Sequence, residues 1–346
     1  MKLYIDKKNI ESFVLSAKTS IQEFNLCNNM LKKHFDMHLN VSKEEFFDSP
    51  LCMAWSNSLL EGCGEGKRDI IHFDGPNNIF PHRPINPTYF SNGFDMEQHM
   101  AVYLLDDKDV SPLREHGNYI VGGVGYETET LHQLIIGDED QLYTQELPLK
   151  KHFSQGNWEG LNESILPCSD IIISDPYILS NKSLYSTNLI PLLQKISQQV
   201  VYTSVNIVIF CLSSTTDKKG NVYAPIWSDV RNLIKDKLNQ VDIEANVTFV
   251  AAATEKDFGE HDRTLCTNYM LYTPGKGFNI YDTQGKLTEN GRYFHVHSSA
   301  KSEHFSDVLN YIADMQSLID DIENSRKTGI IEKDSAPKLS NFLHFS

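Results

Sequence analysis

Asp170-Ile171-Ile172-Ile173-Ser174-Asp175-Pro176-Tyr177 decides how the second half of this 346-residue chain is read. Three consecutive isoleucines leave no polar–apolar alternation, which is the pattern of a strand covered on both faces of its sheet. Pro176 has no N–H to continue a ladder, so the strand stops at Asp175. Val205–Leu212 and Ala245–Ala251 repeat the pattern. Between these runs, residues 186–199 and 227–238 carry helical spacing, with Val230, Leu233, Ile234 and Leu238 on one face. Apolar strands alternating with amphipathic helices predict α/β layering. Next come His261 to Tyr272, a Pro274-Gly275-Lys276-Gly277 turn and a return strand Phe278–Tyr281, which together read as a hairpin. Residues 305–322 place Phe305, Val308, Leu309, Ile312, Met315 and Leu318 at helical spacing. The chain beyond Ser325 reads as a polar, mobile tail.

The first half opens on a strand, Lys2–Ile5, followed by amphipathic segments at 8–18, 20–38 and 43–60 that predict three helices. Turn-forming clusters between Gly62 and Gly93 surround one strand, Asp69–Phe73. Strands are expected at 99–105 and 118–124, a mixed segment at 130–150, and a linker or covering loop at His152–Glu163. The expected organisation is an acidic N-terminal α/β or α+β domain of unassigned identity over 1–160, an α/β domain over 161–325, and a tail over 326–346.

Composition narrows the function classes. The chain holds 31 Lys+Arg against 46 Asp+Glu, a net charge of −15, with 40% hydrophobic and 22% charged residues. That is a globular composition, and its acidity excludes a broadly basic nucleic-acid or anionic-lipid binder. Residues 1–165 carry 14 basic and 25 acidic side chains, −11 of the total, leaving −4 in the second half. A local phosphate site is therefore compatible with the second half, and the first is the better candidate for docking on a basic protein partner. The six cysteines form no C-x-x-C pair, as expected of reduced thiols in a cytoplasmic protein. Neither a signal-peptide-like start nor a run of membrane-spanning length is present, so no membrane span is expected.

The strand, helix, strand, helix, strand, hairpin, helix order over 165–322 carries Asp175-Pro176-Tyr177 behind its first strand and His261-Asp262-Arg263 at the hairpin entrance. In these respects it resembles one repeat of the phospholipase D superfamily. The His-Asp-Arg triplet is similar to the variant in bacterial phospholipase D-like domains and in the C-terminal domain of microtubule-interacting-and-trafficking proteins. The resemblance covers slightly under half the chain. The family pattern is His-x-Lys followed, after four intervening residues, by Asp, and the residues matching it are His261, Arg263 and Asn268. The resemblance implies phosphodiester transfer in which one histidine attacks phosphorus and a second, from another repeat or subunit, protonates the leaving group. Lys and Asp are changed here. Arg263 can clamp two phosphate oxygens with a different reach from Lys, while Asn268 cannot support an imidazolium by charge. With a single motif, a two-histidine site requires a symmetric homodimer.

Asp175 reads either as a turn-initiating acid or as a partner of Arg263 or His261, and Asp262 as an exposed ion-pair partner of Arg263 or a contributor to the phosphate site. His34 and His38 stand four apart on an expected helix with no third ligand nearby and read as a solvated face, while His295 and His297, two apart on one face of a strand, read as exposed or hydrogen-bonded histidines rather than a zinc site. His82, in Pro-His-Arg-Pro, lacks the pattern altogether. Gly122-Gly123-Val124-Gly125 lacks phosphate-loop spacing and reads as a strand turn. Lys150-Lys151-His152 is too short for a nucleic-acid patch. No cofactor or metal is called for.

The resulting expectation is a bacterial accessory or effector protein, of the kind found in mobile-element or antiphage defence systems, whose altered phospholipase D-like domain binds a phosphate or nucleic-acid backbone. The alternatives are an active dimeric phosphodiesterase or nuclease using His261 from two subunits, and a protein-binding module acting through the acidic first half.

Overall fold

The computed structural model describes residues 1–60, 70–73, 96–106, 110, 118–138, 141–200, 204–259, 263–288, 293–334 and 340–345. It divides into unit 1, Met1–Ile135 with Ser299–Phe305, and unit 2, Ile136–Ser298 with Ser306–Ser346. The fold is α/β throughout.

Unit 1 contains strands β1 Lys2–Asp6, β2 Asp36–Asn40, β3 Ile71–Phe73, β4 Val102–Leu104 and β5 Ile120–Gly122. They form a parallel sheet in the order β3-β2-β1-β4-β5. Helices Lys7–Ser16, Ile21–His34, Pro50–Leu60 and Glu127–His132 supply covering elements, and Leu3, Ile5, Phe13, Leu31 and Trp55 are fully buried. The helix expected over 20–38 stops at His34, and Asp36-Met37-His38-Leu39-Asn40 becomes β2 instead. Met37 and Leu39 are buried while Asp36, His38 and Asn40 are half-buried, a period-2 pattern masked by the helical run before it. His34 and His38 therefore share no helix face. His38 instead stacks between the rings of Tyr4 and His72.

Unit 2 is built on one eight-stranded sheet in the order β15-β11-β8-β7-β12-β13-β14-β6. Its strands are β6 Thr144–Pro148, β7 Asp170–Ser174, β8 Val205–Leu212, β11 Ala245–Ala252, β12 Thr264–Thr267, β13 Met270–Thr273, β14 Tyr293–Ser298 and β15 Gly329–Glu332. A two-stranded ribbon, β9 Thr215–Thr216 with β10 Val222–Tyr223, follows β8. β7, β8 and β11 are mutually parallel and every other pairing in the large sheet is antiparallel. The apolar run of each parallel strand is buried along its length except for half-buried Asn246. Helices Leu189–Ile196, Trp227–Asn239 and Ser302–Glu323 occupy the stretches read as amphipathic.

Three sequence expectations shift in unit 2. The stretch expected to link two domains near 160 belongs to its core: Phe153, Trp158 and Leu161 are buried, and the Phe153 and Trp158 rings pack on Phe294. The hairpin turns at Asn268-Tyr269 rather than at Pro274–Gly277, because Thr264–Tyr272 folds as two short strands, and Phe278–Ile280 forms no strand. The chain after 325 is not a free tail, since Gly329–Glu332 pairs with β11 and Phe342 and Leu343 are buried.

Candidate functional site

β7, β8 and β11 end at one edge of the sheet, and the antiparallel β12 begins there. Open α/β sheets place ligands beyond these carboxyl ends. The pairing of Thr264 with Ser174 sets Arg263 next to Asp175. Asp175 is 2% exposed. Its Oδ1 accepts from the Tyr177 backbone N–H at 2.9 Å and its Oδ2 from the Phe278 N–H at 2.9 Å. Arg263 Nε lies 3.8 Å from Oδ1. The two readings of Asp175 thus coincide, since it starts the turn through Tyr177 and faces the arginine.

Arg263 is engaged on two further sides. Its Nη1 donates to the Lys276 carbonyl, and its guanidinium carbon lies 5.7 Å from the centre of the Tyr177 ring. The Tyr177 hydroxyl donates in turn to the Glu255 carboxylate, a bond that raises the phenol's pKa. Gly277 sits directly on the ion pair, with φ +114°, where a Cβ would stand 2.7 Å from Asp175 Oδ2 and 3.0 Å from Arg263 Cδ. Only glycine suits both the backbone and the space. Burial pushes the Asp175 carboxyl above its ordinary range, and the two backbone N–H groups and Arg263 offset this in part.

Asn268 lies at the opposite end of β12, five residues from Arg263, about 17 Å along an extended strand. It is fully buried. Its Oδ1 accepts from Ser169 N at 2.8 Å and Asp170 N at 3.2 Å, and its Nδ2 donates to Ser169 Oγ at 3.0 Å. Among the expected site residues the structure brings Asp175 and Arg263 together and sets Asn268 apart from them. His261, Asp262 and His82 fall outside the described residues.

No family model and no curated protein matches this chain. Among solved structures it is similar to phosphatidylserine synthase from Haemophilus influenzae Rd KW20, with 10% identity and a TM-score of 0.29. That similarity covers 56% of this chain and 45% of the other, so this chain spans under half the length of that protein.

The weaker candidates resolve into local roles. His295 Nδ1 is 3.8 Å from Glu146 Oε1 and stacks on His297, whose Nδ1 lies 3.3 Å from Thr144 Oγ1. Among the described residues no group of three metal-ligating side chains converges. Gly122 ends β5 against Thr130, and Gly125 has φ +89° in the turn to helix Glu127–His132, as a strand turn requires. Lys150-Lys151-His152 lies in a one-turn helix. Cys27, Cys52, Cys168, Cys211 and Cys266 are free and buried, and burial raises all five thiol pKa values. Among the described residues no helix is long and apolar enough to cross a membrane.

Three polar features went unread in the sequence. Lys276 reads in the sequence only as a turn residue, yet its carbonyl accepts a hydrogen bond from Arg263. Asp170 at the amino end of β7 gathers Ser340 and Asn341. In unit 1 the strand order reverses between β1 and β4, and Asp6 ends β1 at that point. The Asp6 carboxylate accepts from Asn40 Nδ2 and, at 2.7 Å, from Asp106 N. Asn9, three residues further on, is fully buried with no partner for either side-chain amide atom among the described residues.

Proposed function

We propose that unit 2 binds a phosphodiester beyond the carboxyl ends of β7, β8 and β11, as a phospholipase D-like domain whose altered catalytic set does not support efficient turnover. One observation carries this reading. Arg263 is fixed at the strand ends by a buried carboxylate with its side chain 32% exposed, while Asn268, at the position of the family's acid, is spent on the backbone at the other end of the sheet. A fixed cation favours an anion, and without the acid a histidine at 261 lacks charge support.

The test uses a labelled single-stranded oligonucleotide and a chromogenic phosphodiester with the full chain. Salt-dependent oligonucleotide binding is expected, and Arg263→Ala should weaken it, since Arg263 organises this end of the sheet. The chromogenic ester is expected to turn over no faster than with His261→Ala. Hydrolysis that His261→Ala abolishes would favour the active dimer instead, and the mass in solution would then have to be that of two chains.

A second reading attaches to unit 1. A carboxylate at the switch point of a parallel sheet, with the buried Asn9 amide one helical turn away and without a partner among the described residues, favours a nucleotide-type polar ligand there. Mononucleotides should raise the thermal midpoint of the wild type and leave Asn9→Leu unmoved; equal shifts in both would remove this reading.

A further inference from the structure

Pro274-Gly275-Lys276-Gly277 is closed by a hydrogen bond from Gly277 N to Pro274 O at 2.9 Å, which places Lys276 at the third position of a β-turn. The carboxyl side of the turn is fixed to the ion pair. Phe278 N–H is held by Asp175 Oδ2, and the Lys276 carbonyl by Arg263 Nη1. Gly277 has no room for a side chain against either partner. Lys276 itself is exposed, and no ion pair of its ammonium occurs among the described residues.

Arg263 is differently placed. One arm of its fork is on a carbonyl, its Nε faces a carboxylate, and its flat face lies over Tyr177, itself bonded to Glu255. A bidentate grip on phosphate needs that fork free. Lys, by contrast, binds phosphate as a point charge that requires only presentation.

We infer that Lys276 is the residue that meets the phosphate, and that Arg263 is a positioning residue that holds the turn presenting it. The inference rests on the phosphodiester reading of unit 2. The ligand it fits is the backbone of a short single strand of nucleic acid. A strand meets the local cation, whereas an extended anionic bilayer would face a chain of net charge −15.

The experiment measures anisotropy of a labelled single-stranded 12-mer on the full chain across a sodium chloride series. Lys276→Ala should weaken binding about tenfold at low salt and flatten the slope of log K against log salt by about 0.7, the loss of one phosphate contact on a single strand. Lys276→Arg should restore both. Arg263→Gln should weaken binding with the slope unchanged and should speed tryptic cleavage after Lys276, whose carbonyl it no longer holds. An unchanged slope in Lys276→Ala, or a flattened one in Arg263→Gln, overturns the assignment while leaving the phosphodiester reading intact. No oligonucleotide binding by the wild type, or binding only to phosphatidylserine vesicles, overturns both.

Discussion

At the amino end of β7, Asp170 is 1% exposed and accepts hydrogen bonds from neutral groups. These are Ser169 Oγ at 2.8 Å, Ser340 Oγ at 2.9 Å, Asn341 N at 2.8 Å, Asn341 Nδ2 at 2.5 Å and Asn206 Nδ2 at 3.4 Å. At the carboxyl end, Asp175 is as deeply buried but takes two backbone N–H groups and an arginine that reaches the surface. The donors at the amino end come from the chain itself, including its last residues, and they seal that end. The carboxyl end instead finishes on cations, Arg263 and then Lys276. One strand thus carries two buried carboxylates, and the difference lies in whether the compensating groups are all neutral or include a half-exposed cation.

The largest test of this contrast is Asp170→Ala. It orphans the buried donors of Ser169 and Asn206 and the half-buried ones of Ser340 and Asn341, and the expected loss is about 3 kcal/mol, read by urea denaturation of the full chain. Amide exchange at Asn341 and Leu343 should accelerate with it. Oligonucleotide affinity should not change, and a loss below about 1 kcal/mol would mean the amino end is no seam at all.

Asn268→Asp comes second. It introduces the acid of the phospholipase D pattern at the sealed end, away from Arg263, so it should confer no hydrolysis. It should destabilise by about 2 kcal/mol, because Asn268 Nδ2 now donates to Ser169 Oγ, whose own proton is committed to Asp170. A carboxylate oxygen there would face another acceptor. Any gain in phosphodiesterase activity would place Asn268 functionally with Arg263 despite the strand between them.

Legibility followed the same division. β7, β8 and β11 were plain because a strand buried on both faces spells itself as a continuous apolar run, and Pro176 marked its stop. β2 was hidden, since its five residues follow directly on the helical spacing of Phe24 and Leu31 with no Gly or Pro to mark the break. The hairpin was misplaced because Pro274-Gly275-Lys276-Gly277 is a stronger turn signal than Asn268-Tyr269, and the shift moved the expected return strand with it. That one turn also decided the site. Arg263 and Asn268 are near in sequence, and only the run of β12 along the full length of β7 shows that they serve opposite ends. Lys276 acts on Arg263 through its main-chain carbonyl, which no residue-type pattern records.

The smallest effect concerns Asp175 itself. Desolvation raises its carboxyl above the ordinary carboxylate range, against the opposing pull of Phe278 N–H, Tyr177 N–H and Arg263. Its folded pKa then lies above its unfolded one. As pH falls from neutral through the folded value the native state takes up the proton first, so this group's contribution to stability rises until the unfolded value is reached. Asp175→Asn cannot titrate. The stability of the wild type relative to Asp175→Asn should therefore grow between pH 7 and pH 4, by about 1.4 kcal/mol for each unit separating the two states. Urea midpoints at four pH values measure it. A difference that shrinks on acidification would show Arg263 holding Asp175 ionised below its unfolded pKa. The carboxyl end of β7 would then be a strong ion pair, with Arg263 still less free to meet a ligand.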